Sequence, residues 1–312
     1  MGTTITVLAY TTPALDESGT RKAIEAAMVE IRRLEALMSS WQKQSEVSRI
    51  NAAPGSWIQV SPETLEVIER GVWAGSVSEG TFDVTFQTLS GLWKFGDAQD
   101  ANPIPPKASE VARLRPNVDF RKIEVRKAER LVKIAPEQQL GLEGVAKGYI
   151  VDAASKVLRQ GGVTAFLLRA GGDLYGAGAK PDGEAWVAGI QDPRGSKDGY
   201  FATLELRDRA FSTAGDYARA YVYQGKRYHH IIDPRTGYPA TACRSVTIWA
   251  ESALLADVID DSVFILGPEK GLKLVESVPG VGAVVVDAKN KVWVSQRLQG
   301  QVTLLHEPTA HD

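Results

Sequence analysis

The chain has 312 residues, of which 44% are hydrophobic and 24% charged, and a formal net charge of −2. That composition excludes a disordered or fibrous protein, and so small a charge excludes long-range attraction to nucleic acid or anionic lipid. A single cysteine, Cys243, rules out an internal disulfide framework and a Cys-rich zinc site, and it is expected to be a packed, inert thiol.

Met1 leads straight into a strand-like stretch over 3–10, without a basic-then-apolar secretion signal. No apolar run approaches the roughly 20 residues of a membrane span. These two features predict a cytoplasmic chain or a mature or trimmed form. A helix is predicted over 19–39, because Ile24, Met28, Ile31, Leu34 and Met38 recur at three- and four-residue intervals. A second follows over 61–77, with Ser61 as N-cap and Pro62 at the first helical position. The polar, proline-rich stretch 97–116 reads as a surface excursion with one short helix. Residues 123–125 and 131–134 predict a hairpin.

A helix over 147–158 precedes a buried strand over 165–168. Further strands are expected over 186–190, 202–206, 220–223 and 245–249, then a helix over 253–266, then strands over 281–286 and 292–294. Beyond Leu305 the tail is expected to fray. Because several strand pairs must be antiparallel hairpins, the pattern predicts an α+β fold of mixed, largely antiparallel sheets packed with helices. One domain is expected over 1–305.

Four constellations could carry chemistry. In Ala256-Asp257-Val258-Ile259-Asp260-Asp261, Asp257 and Asp261 project from one helix face a turn apart. Two such carboxylates repel unless a cation lies between them, and hard oxygen donors suit Mg²⁺ or Ca²⁺; the alternative is a solvated helix face. In Tyr228-His229-His230-Ile231-Ile232-Asp233-Pro234, adjacent histidines enter a turn, and on a strand they would point to opposite faces. One could serve as a general base, or both could be structural. The glycine turns Gly144-Val145-Ala146-Lys147-Gly148 and Ala170-Gly171-Gly172-Asp173 could hold a phosphate with backbone N–H groups and one lysine, or could simply be tight turns. The aromatics of Gly80-Thr81-Phe82-Asp83-Val84-Thr85 and Trp93-Lys94-Phe95-Gly96 could stack on a flavin or adenine, or belong to the core.

In their order these segments resemble the FAD:protein FMN transferase family, also called ApbE or flavin transferase. The resemblance is carried by Met1-Gly2-Thr3-Thr4, Met38-Ser39-Ser40-Trp41 and Ser45-Glu46-Val47-Ser48-Arg49-Ile50-Asn51. The Phe82 and Trp93 blocks, Ala146-Lys147-Gly148-Tyr149, Gly171-Gly172-Asp173, Ser212-Thr213-Ala214-Gly215-Asp216-Tyr217 and the segment from His230 to Pro239 extend it.

The resemblance implies an ApbE-type fold, FAD as donor and Mg²⁺ as cofactor. It implies transfer of FMN to a Thr or Ser hydroxyl of a respiratory or redox acceptor protein, with release of AMP. An FAD pyrophosphatase or a non-catalytic FAD binder would carry many of the same features. The resemblance further implies Asp257, Asp261 and the Gly144 carbonyl as metal ligands, with His230 and Asp257 catalytic. Met1, Gly2, Thr3, Met38, Trp41, Phe82, Asp83, Trp93, Glu143, Lys147, Gly171, Gly172, Asp173 and His230 would line the cofactor. A periplasmic or cell-envelope location is also implied. The chain departs from the family pattern at Asp261, where Thr is usual, at Gly141, where Asp is usual, and at Glu143, where a small residue is common.

Overall fold

The structure is a computed structural model describing residues 3–95, 103–196 and 198–311. Its centre is a seven-stranded sheet. In spatial order the strands are Ile5–Ala9, Phe166–Ala170, Asp173–Ala177, Arg209–Gly215, Cys243–Ala250, Gly282–Asp287 and Val292–Val294. Every neighbouring pair is antiparallel. The α+β expectation is met, and the fold is an antiparallel sheet with helices on one face.

Alternation along the strands sorts their side chains. Ala210, Ser212 and Ala214 face the helices, whereas Phe211 joins the opposite layer. That opposite layer is a three-stranded sheet, Val302–Leu304, Tyr200–Leu206 and Trp186–Gln191. Its Trp186, Phe201 and Leu204 bury against Phe211, Val284 and Val286.

Among the described residues, seven α-helices follow chain order: α1 (Glu17–Met38), α2 (Glu46–Ala52), α3 (Pro62–Val77), α4 (Ala108–Leu114), α5 (Ala146–Gln160), α6 (Ala253–Leu266) and α7 (Pro268–Ser277). Helix α1 buries Ala23, Ala27, Ile31, Leu34 and Met38, while Ile24 and Met28 pack partly against the same core. Ser61 caps α3 by accepting from the Thr64 N–H, with Pro62 leading the helix. Helix α6 spans the predicted 253–266, and the Ser252 side chain caps it by accepting from the Leu255 N–H.

Elements not anticipated from sequence include α2, α7, and the strands Asp173–Ala177, Arg209–Gly215 and Val302–Leu304. The hairpin of Ala220–Tyr223 and Lys226–His229 ends one residue before His230, so no strand carries both histidines. Of the 97–116 excursion, residues 97–102 lie outside the described residues, and α4 supplies its short helix. The segment beyond Leu305 is tied down where fraying was expected. Thr309 donates from N–H and Oγ1 to Asp192 Oδ2 at 3.0 and 2.8 Å, and Asn290 Nδ2 donates to the Pro308 carbonyl at 2.7 Å. No helix is long and apolar enough to cross a membrane among the described residues.

Candidate active site

The site lies where the start of α5 meets the middle of α6 over the helix face of the sheet. Gly148 makes the close approach possible: a Cβ there would stand 2.3 Å from the Ala253 carbonyl oxygen. Asp152, a turn further along α5, accepts from the N–H groups of Ala253 and Leu254 at 2.8 and 2.9 Å and so fixes the entry of α6. Burial pushes the Asp152 carboxyl up to about 6, against those two donors.

Lys147 donates to Asp173 Oδ2 and Asp257 Oδ1, both at 2.7 Å, and the Gly148 N–H donates to Asp257 Oδ2 at 2.9 Å. Burial disfavours the ammonium, but the facing carboxylates of Asp173 and Asp257 outweigh it and hold Lys147 well above the usual lysine range. Burial pushes Asp257 up to about 7 even with Lys147 opposing, and Asp261 up to about 6. Asp260, buried beside both, is raised well above its ordinary value by burial and by its acidic neighbours.

Gly144 borders the same cluster. A Cβ on it would lie 3.3 Å from the Phe82 ring and 3.5 Å from Asp261 Oδ2, so glycine leaves the loop backbone close to that carboxylate. Four acids stand against one lysine, and Asp173, Asp257 and Asp260 place ligand oxygens within 4.8 Å of one another. An excess of buried carboxylates, all oxygen donors, fits a hard divalent cation.

His230 is anchored by its own N–H to the Arg219 carbonyl at 3.1 Å, while its Nδ1 is buried and has no hydrogen-bond partner among the described residues. Burial, His229, Arg219 and Lys147 together depress its pKa to about 4, so the ring is neutral at physiological pH. His229 is structural. Its Nε2 lies 2.7 Å from the Ala240 carbonyl, its Nδ1 accepts from the Ile231 N–H, and its ring meets Phe264 edge-on. Of the adjacent pair, His230 alone presents an unsatisfied nitrogen.

The remaining predicted residues divide. Gly171 adopts φ +65°, and a Cβ there would stand 2.6 Å from Thr3 Oγ1, which places Thr3 on the double-glycine turn. Gly172 is less crowded, with the Thr213 carbonyl at 3.5 Å. Met38, Phe82 and Trp93 are buried, and Trp93 Nε1 donates to the Gly237 carbonyl at 3.1 Å. Trp41, expected to shape the pocket, is 87% exposed. Asp83, expected at the cofactor, spends its carboxylate on Thr85 N–H and Oγ1 and on the Phe120 N–H at 2.6–2.9 Å, so it braces the 82–85 turn. Glu143 is exposed and accepts from Ser40 Oγ. Its Oε2 stands 2.6 Å from where a Gly141 Cβ would be, so the unusual glycine and the unusual glutamate share one space. Met1, Gly2 and Gly96 lie outside the described residues. Cys243 is buried and its thiol is pushed up to about 12 by burial, which makes it the inert thiol expected.

Two residues of the cluster escaped the sequence reading, Asp260 and Ser212. The spacing of Asp260 from Asp257, three residues on one helix, was the available signal. Of two surface cavities, of about 470 and 640 Å³, the first is lined in part by Asp152, but none of Lys147, Asp173, Asp257 or His230 lines either.

The ApbE family profile matches residues 1–285. The chain belongs to the ApbE family. Relatives within it include an FAD:protein FMN transferase of Vibrio cholerae, 30% identical over 95% of this chain and 88% of its own length. The FAD:protein FMN transferase of Escherichia coli K12 is 27% identical over 92% and 84%. Among solved ApbE structures, the Thermotoga maritima protein superposes with a TM-score of 0.84 at 29% identity, over 96% of both chains. The flavin transferase ApbE of Vibrio cholerae does so with a TM-score of 0.82 at 28% identity, again over 96% of both. The ApbE fold expected from the sequence is therefore the fold observed.

Proposed function

We infer that this ApbE-family chain is a transferase that moves FMN from FAD onto a hydroxyl of an acceptor protein. The single observation that carries the reading is the juxtaposition of Lys147, Asp173 and Asp257 at a glycine-lined helix start, in a chain of that family. The finer reading is that the acceptor group is a Thr or Ser, that Mg²⁺ is required and that AMP leaves.

In the reaction the acceptor oxygen attacks the phosphorus that bears the riboflavin moiety. A new P–O bond forms, the bond to the AMP phosphate breaks, and a phosphodiester links FMN to the protein. Charge grows on the pyrophosphate oxygens and on the departing AMP, so fixed cations and donors aimed there provide most of the acceleration. Lys147 supplies a fixed positive charge, held by two carboxylates. The Gly171-Gly172 turn lets a phosphate approach the backbone without a side chain intervening. His230, neutral at working pH, would receive the acceptor proton. Asp257, Asp261 and the Gly144 carbonyl would hold the divalent ion, which when bound supplies further charge stabilisation to the pyrophosphate.

The test is incubation of the protein with FAD, Mg²⁺ and a candidate acceptor, with products separated by mass. Covalent flavin on the acceptor, one AMP per transfer and loss of both on chelation are expected. Free FMN without modified acceptor would replace transfer by hydrolysis, and FAD left intact would reject turnover altogether. His230→Ala should lower kcat about 100-fold or more while the protein stays folded.

A further inference from the structure

Asp260 is the acid that the reaction leaves unused. It lies on α6 between Asp257 and Asp261 and is 5% exposed. Its Oδ1 accepts from the Asp261 N–H, which aims Oδ2 at Ser212 Oγ, 2.6 Å away. The same Ser212 hydroxyl lies 2.6 Å from Asp173 Oδ1. The other oxygen of Asp173 takes Lys147, and Lys147 reaches Asp257 on the helix that carries Asp260. The contacts therefore close into a ring through α6, the Arg209–Gly215 strand, the Asp173–Ala177 strand, α5 and back to α6.

We propose that Ser212 and Asp260 are positioning residues that act through Asp173 to fix the direction of the Lys147 ammonium. The proposal rests on the reading of Lys147 as the cation for the donor's pyrophosphate. A lysine ammonium has three N–H donors on a flexible four-carbon stem. Two are committed to Asp173 and Asp257. The side chain is 33% exposed, and the third is the donor that the proposal gives to the pyrophosphate. That third donor keeps its aim only while both carboxylates keep theirs. Asp257 is held by the Gly148 N–H. Asp173 accepts, on the side away from Lys147, from the Ser212 O–H, whose oxygen lies 2.6 Å from Asp260 Oδ2. Ser212 is 1% exposed, so bulk solvent does not reach that hydroxyl.

A double-mutant cycle of Ser212→Ala with Lys147→Ala tests this, read as kcat/KM for FAD and as FAD affinity of metal-free protein from flavin fluorescence. Ser212→Ala should lower kcat/KM about 10- to 100-fold in the native background and less than about threefold once Lys147 is gone, because interacting sites are non-additive. Metal-free FAD affinity should show the same coupling. Asp260→Ala should behave like Ser212→Ala, and Asp260→Asn, whose amide can still meet Ser212 Oγ, should recover at least about tenfold of that loss. Equal losses in both backgrounds, or no loss on Ser212→Ala, would overturn the proposal alone. Native activity in Lys147→Ala would overturn the role given to the lysine and the proposal with it.

Discussion

Asp257 and Asp261 leave α6 one turn apart, and each is a carboxylate that burial makes reluctant to ionise. A side chain in that condition gains most from a cation. Replacing Asp261 by the hydroxyl usual in the family removes one formal charge while keeping an oxygen near Gly144. Asp261→Thr should therefore retain turnover but raise the Mg²⁺ concentration for half-maximal rate by about tenfold, through the weaker donor. A Mg²⁺ titration of initial rate decides it, and an unaltered half-saturation point would remove Asp261 from the ligand set. The i, i+4 spacing made this pair visible in the sequence. Asp260 was less visible because its partner, Ser212, lies 48 residues away on a strand, and the meaning of the acid depends on that hydroxyl.

At the scale of elements, the crossing of α5 over α6 determines whether Lys147 and Asp257 meet. Gly148 sits at the crossing, and an added Cβ would clash with the Ala253 carbonyl and with the Leu254 Cα at 2.7 Å. Both are backbone and cannot swing aside. Gly148→Ala should force the helices apart, costing roughly 1–3 kcal/mol and lowering the melting temperature by about 5 °C, with loss of FAD turnover. Thermal melting and activity measured on one preparation settle it; a native melting point would show that the helices do not approach as closely as described. The helices α1, α3 and α6 were legible because apolar spacing, and for α3 the Ser61 cap, are local signals. The strands Asp173–Ala177 and Arg209–Gly215 were hidden. Small residues (Gly, Ala, Ser) weaken their strand signal, so they become strands through ladders with neighbours on both sides.

For the whole molecule, the buried acids couple stability to pH. Asp257 rises from 3.8 to about 7 on folding. Between those values the folded chain retains a proton that the unfolded chain has released, so stability falls as pH rises across the window. Asp261, raised to about 6, acts in the same direction. The metal-free protein should thus melt several degrees lower at pH 8 than at pH 5.5, and excess Mg²⁺ should raise the melting point more at pH 8, because the ion takes the deprotonated form. Scanning calorimetry at both pH values checks this; a Mg²⁺ shift that is absent, or larger at the acid end, would contradict the cluster as a cation site.

The sequence alone determined the antiparallel α+β character, the family resemblance, and the presence of Lys147, Asp257, Asp261 and His230 in recognisable local patterns. Local periodicity and turn chemistry carry that information because they depend on neighbours within a few residues. The tertiary structure decided which candidates share a site. It joined Asp173, Ser212 and Asp260 across two strands and a helix, turned Asp83 inward as a brace, and left Trp41 in solvent. Those outcomes depend on sheet order and helix crossing, which bring together residues tens of positions apart and leave no trace in short-range spacing.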